Sequence, residues 1–137
     1  FGVVQYSVKI AELSDEHRKM SEFWLKFMSD NRKVLLDSGF APHDAQSNYP
    51  VIEAFDDSEK IVAVYESGKV IRTENYTRVS IANATDSEKV YVECDGDFDA
   101  KVTVYDCTGN ARAKDMHLKC GVNVIKVKRS GLAVIER

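Results

Sequence analysis

Four aspartates come first among the residues that could do chemistry. Asp95, Asp97 and Asp99 alternate, and Asp106 lies eleven positions after Asp95. Alternating carboxylates closed by a later acidic residue loosely resemble a calcium loop, which needs glycine at its sixth position and a bidentate glutamate at its twelfth. Here Ala100 stands at the sixth and an aspartate at the last, so the residues read as a polar hairpin turn. Cys94, Cys107 and Cys120 are spaced thirteen apart, with His117 three before Cys120. Zinc calls for four ligands, usually with a close cysteine pair, so these read as small buried thiols. An odd cysteine count is no disulfide framework. His17, His43 and His117 are the only histidines, and no nucleophile-elbow serine accompanies them. No catalytic residue, cofactor-binding residue or metal ligand is expected in this chain.

Two further sets remain. Asn75-Tyr76-Thr77 and Asn83-Ala84-Thr85 match the glycosylation sequon, a pattern common by chance. Tyr49, Tyr76, Tyr91 and Tyr105 could stack on sugars if exposed in one row, so carbohydrate is a possible partner. Tyr91 and Tyr105 fall on the opposite strand phase from their neighbouring valines, which a second sheet face explains as well.

These residues sit on two kinds of element. Ser14 precedes Asp15 and Glu16 as a helix cap with carboxylates near the positive dipole end. Met20, Phe23, Trp24, Phe27, Met28, Val34 and Leu35 then form one apolar stripe of a long amphipathic helix. The first five, Met20, Phe23, Trp24, Phe27 and Met28, are the candidate interface. Each large side chain stabilises by about 1.5–3 kcal/mol when fully buried, so the stripe must lie on something. Asn31 falls mid-stripe, either bonding across an interface or marking where the stripe turns wet. The helix is expected to stop near Ser38-Gly39 with Gly39 left-handed. Pro42 and Pro50 bracket a connection, and Asp56-Asp57-Ser58-Glu59 reads as a turn.

From there the period is two. Strands are expected at 61–65, 79–83, 90–94, 102–105, 122–127 and 132–135, with weaker ones at 69–73 and 112–118. The reading is mainly β: an antiparallel β-sandwich of roughly eight strands preceded by one long amphipathic helix. Residues 1–39 form the N-terminal segment and helix, and residues 40–137 the sandwich.

Composition agrees with such a domain. The chain has 137 residues and a net charge of −3, enough to bury about two-thirds of its unfolded surface. No basic block points to nucleic acid, and no apolar run approaches the ~20 residues of a membrane span. The chain begins at Phe1, which reads as a fragment or a processed product of cytoplasmic or periplasmic origin.

The segment Tyr6-Ser7-Val8-Lys9-Ile10-Ala11-Glu12-Leu13, the helix from His17 to Phe27, and Asn31-Arg32-Lys33-Val34-Leu35-Leu36-Asp37-Ser38-Gly39 together resemble the end of the catalytic barrel in melibiase-type α-galactosidases, the family 36 glycoside hydrolases. Asn48-Tyr49-Pro50 followed by Ile61-Val62-Ala63-Val64-Tyr65 is similar to the entry into that family's C-terminal β-sandwich. The stretch from Leu118 to Leu132 is similar to its last hairpins. The resemblance implies that the helix is the last of a (β/α) barrel. It implies a missing N-terminal catalytic barrel of about 250 residues as the main partner. Retaining hydrolysis in the family uses two barrel aspartates, and nothing here matches them. The chain is then a non-catalytic brace or interface domain, with a homo-oligomer possible. The alternatives are a stand-alone carbohydrate-binding module and a protein-interaction domain docking through the helix.

Overall fold

The computed structural model describes residues 9–137, so Tyr6-Ser7-Val8 of the family-like segment lies outside the described residues. Ser14 caps the first helix, α1 (Asp15–Asp30), accepting the His17 N–H at 3.3 Å. The helix does not run on to Ser38. It breaks at Asn31, and a short helix α2 (Arg32–Leu36) follows. The reason is tertiary: the Asn31 amide donates to Phe27 O at 2.7 Å, while its Oδ1 accepts Arg78 Nη1 at 2.7 Å. A buried side chain with both ends bound to fixed partners holds the backbone off helical geometry there.

Ten strands follow: β1 (Gly39–His43), β2 (Val51–Phe55), β3 (Glu59–Val64), β4 (Val70–Arg72), β5 (Arg78–Asn83), β6 (Lys89–Cys94), β7 (Phe98–Tyr105), β8 (Ala111–Leu118), β9 (Gly121–Lys126) and β10 (Leu132–Glu136). They form a seven-stranded sheet, β1-β2-β3-β5-β10-β7-β8, and a three-stranded sheet, β4-β6-β9. The fold is mainly β, a sandwich-like pair of sheets led by one long helix.

Three details correct the sequence reading. β1 occupies the start of what read as connection, and β2 a stretch where no strand was expected; Pro42 is tolerated because β1 is an edge strand. The sandwich is also not wholly antiparallel, because β3 pairs with β5, and β4 with β6, in parallel. From β3 to β6 the chain alternates between sheets, so it returns to each sheet in the direction it left. Gly39 is not left-handed either. It opens β1 opposite Phe55, and a Cβ there would sit 2.6 Å from the Phe55 ring.

The seven-stranded sheet is covered on both faces. Val62, Ile81 and Ala133 form a row on the inner face and belong to the main core between the sheets. On the outer face a second row crosses five strands through Ala54, Ile61, Ser80, Val134 and Thr103, all buried. The helices lie over this face. Phe27 and Met28 of α1, with Val34 and Leu35 of α2, pack on Ala54 and Ile61. Phe23 rests on Tyr105 with ring centroids 5.5 Å apart and fills the space a Cβ on Gly109 would need.

Ile61→Ala is expected to cost about 2–5 kcal/mol in urea unfolding, because the site is closed by sheet and helix. Leu25→Ala, on the open side of α1 at 43% exposure, is expected to stay within about 0.5 kcal/mol.

Candidate functional site

The aspartate cluster does not form one site. Asp95 and Asp97 sit in the β6–β7 turn, and Asp99 lies on β7. Asp106 follows the far end of that eight-residue strand, about 25 Å away at ~3.3 Å per residue. Asp106 is bonded within its own turn, whereas Asp97 and Asp99 reach across to the β8 end and both meet the His117 ring, at 3.8 and 2.9 Å. Asp97 accepts Cys120 N at 2.7 Å, and Asp99 meets His117 Nδ1 at 2.9 Å. Asp106 accepts Thr108 N and Oγ1 at 2.9 and 2.8 Å, and Asn110 N and Nδ2 at 3.0 and 2.8 Å. These bonds, the Asn110 amide foremost, hold its carboxyl down at about 2. The residue is a turn clamp.

Two of the cysteines are near neighbours, since Cys120 adjoins Gly121, which pairs with Cys94, and Cys107 lies apart. Cys94 is buried on β6, Cys107 half-buried in the β7–β8 turn, and Cys120 exposed between β8 and β9. Burial pushes the Cys94 thiol up, away from reactivity. Among the described residues no group of three His, Cys, Asp or Glu side chains could hold a metal ion. His17 bonds the Ser14 cap and His43 bonds Glu53 at 2.9 Å, so both have structural partners.

The four tyrosines do not share a face. Tyr91 is on the outer face of the three-stranded sheet between Val70 and Val124, whereas Tyr105 is on the outer face of the other sheet under Phe23. Tyr76 packs beside Phe55 and the main core, and Tyr49 is exposed in the β1–β2 loop. The sequons divide too. Asn75 is exposed, but Asn83 is buried and fully used: its amide donates to Ser87 O and Val127 O at 2.7 and 2.9 Å, and its Oδ1 accepts Thr85 N and Oγ1. It pins the β5 end to the loop before β10 and is closed to modification in the folded state.

The structure adds groups that sequence reasoning missed. Lys60 is buried on β3, its ammonium 2.9 Å from Glu74, 3.6 Å from Glu53 and 4.9 Å from the Tyr76 ring centre. Glu74 holds a left-handed backbone at φ 48°, and Arg137 donates to its carbonyl at 2.5 Å. Strained backbone beside buried charge can mark chemistry. Here every charge is matched, and the cluster acts as an ionic clasp joining β3 to the turn before β5. Its signal was present: Lys60 has the same strand phase as Val62 and Val64.

Arg112 and Lys114 give the same signal, in phase with Met116 and Leu118 on β8. They line an open cleft of about 1040 Å³ between β8 and β9, the free edges of the two sheets. Lys89, Lys126 and Lys128 line it from the other side.

The predicted interface residues share one helix, but none is fully buried. Met20, Phe23, Trp24, Phe27 and Met28 are all half-exposed. Trp24 bridges Phe23 and Phe27 edge-on, at 5.2 and 5.7 Å. No protein-family model, curated protein or solved structure matches this chain.

Because the Asp106 carboxyl is held below its ordinary value of 3.8, its contribution is present above that value and is lost as pH falls through about 2. Asp106→Asn should be less stable at neutral pH and lose less stability across that window, read from urea midpoints at stepped pH. Lys60→Ala should cost about 2–4 kcal/mol by the same measurement, since it removes the ammonium shared by Glu53 and Glu74 and leaves the largely buried Glu53 with His43 alone.

Proposed function

We propose that this chain is the non-catalytic C-terminal region of a glycosidase related to melibiase-type α-galactosidases, in which α1 is the last helix of a preceding (β/α) barrel. The observation that carries the reading is the state of the α1 stripe. Of the five large apolar side chains on one stripe, Phe23, Phe27 and Met28 reach the sheet while Trp24 packs only on its helix neighbours, and the helix buries none of its residues fully. Leaving that much apolar surface half wet forgoes several kcal/mol at about 25 cal/mol per Å², so the stripe has surface to spare for a second layer. The family-like order of residues 6–39, helix then sandwich, supplies the identity of that layer: a barrel N-terminal to this chain.

In this arrangement the sandwich braces the barrel, and the two carboxylates of retaining hydrolysis belong to the barrel. No carboxylate here takes their place; Asp97, Asp99 and Asp106 are each held by a neighbouring residue. A sugar-binding module has less in its favour, because Tyr91 and Tyr105 lie on opposite outer faces.

The native polypeptide carrying this segment is expected to exceed it by at least a barrel of about 250 residues, measured by immunoblot and intact mass from source cells. The chain alone is expected to leave a chromogenic α-galactoside uncleaved. A native product of 137 residues, or turnover by the pure chain, would overturn the reading.

A further inference from the structure

We infer that the cleft between β8 and β9 binds an extended, acidic polypeptide segment, which adds as a strand along the free edge of β8. The inference goes beyond the proposed function and does not depend on a barrel.

Three observations converge on it. First, β8 is eight residues long, pairs only with β7 among the described residues, and is exposed along most of its length. A long open edge presents unpaired backbone N–H and C=O groups, the template on which an extended peptide docks. Second, β9 is the edge of the other sheet and faces the same cleft, whose floor carries Val104, Met116 and Ile125. An added strand would therefore lie between two sheets over an apolar floor.

Third, the charge is one-sided. Arg112 and Lys114 line the cleft from its inner side, with Lys128 beside it and Lys89 and Lys126 at the rim on the outer face of their sheet, against Glu88 and Asp106. Asp106 is already engaged by Thr108 and Asn110. Among the described residues none of the five cations has a carboxylate in ion-pair reach. This occurs in a chain whose net charge is −3. Unpaired like charges held together repel, and an anionic ligand relieves that repulsion.

The geometry also gives the pattern of the ligand. Arg112 and Lys114 sit at inward positions of β8, opposite Val104 and Val102, while Ala111 and Ala113 hold the outward ones. A peptide on that edge would place carboxylates inward, beside Arg112 and Lys114. It would place small apolar groups outward beside the alanines. Alternating acidic and apolar residues meet both needs. A second copy does not, because pairing β8 with β8 would set Arg112 and Lys114 against themselves.

Inward charges on an edge strand can also serve only to block aggregation. That role works with either sign of charge, so charge reversal separates the two. The test is titration of the full chain into a fluorescent peptide alternating glutamate with valine, read by anisotropy at low and physiological salt. β8 amide exchange is followed in parallel. Saturable binding that weakens with salt and slows β8 amide exchange is expected. The Arg112→Glu, Lys114→Glu double variant should stay monomeric, bind about tenfold or more weakly, and gain affinity for a lysine–valine peptide. Lys126→Glu, at an exposed site, should weaken binding in the same direction if the double variant fails to fold. No binding at low salt, or binding unchanged in these variants, would overturn the proposal. So would equal binding of oligogalacturonate without β8 amide protection, which would mark a general polyanion surface.

Discussion

The structure depends on one constraint: the central strands of the large sheet are apolar on both faces. Ile61-Val62-Ala63-Val64 in β3 and Leu132-Ala133-Val134-Ile135 in β10 are buried at every position. A strand of this kind has no wet side, so the sheet needs a layer above and below it. The three-stranded sheet provides one, through a core that includes Val92, Ile125 and Val127. The helices provide the other, through Phe27, Met28, Val34 and Leu35. The leading helix is thus a structural requirement of the sheet and not an appendage to it.

The same constraint orders the chain. To build two stacked sheets from short strands the backbone crosses between them repeatedly, and β10 finally enters between β5 and β7. The polar pins mark these crossings. Asn83 holds the segments around Val127 and Lys128. Lys60 holds Glu74 in the turn between β4 and β5, and Arg78 joins Asn31 at the helix break. Each is buried or half-buried and bonded, as polar groups in such places must be.

Much of this was legible in the sequence. Eight of the strands and the Ser14 cap follow directly from period and residue type, their bounds shifting by a residue or two except that β7 begins four residues earlier, at Phe98. What was hidden depended on partners far away in the chain. Asn31 breaks the helix because it binds Arg78, forty-seven residues on. Gly39 serves the Phe55 ring, which no local rule discloses. β1 and β2 were masked because Pro42 and Pro50 bracket a loop with left-handed Asp44, Asn48 and Tyr49. The parallel pairs are a matter of connectivity, which strand patterns do not encode. The phase of Lys60, Arg112 and Lys114 was readable, since each stands where an apolar residue belongs. The dispersal of the aspartates and tyrosines was not, because similar spacing leads to opposite ends and faces.

The function proposed rests on α1 being a cover that is itself only half covered. Native-state hydrogen exchange tests that most directly, because it reports the opening free energy of each element separately. Amides of β3, β5 and β10 are predicted to exchange only through global unfolding, and those of α1 through a smaller opening at clearly lower free energy, yet well above that of a free helix. Equal protection in α1 and the central strands would contradict the account, as it would mean a helix with no apolar surface left to share. Loss of all protection in α1 would contradict it equally, leaving the outer row of the sheet without its layer.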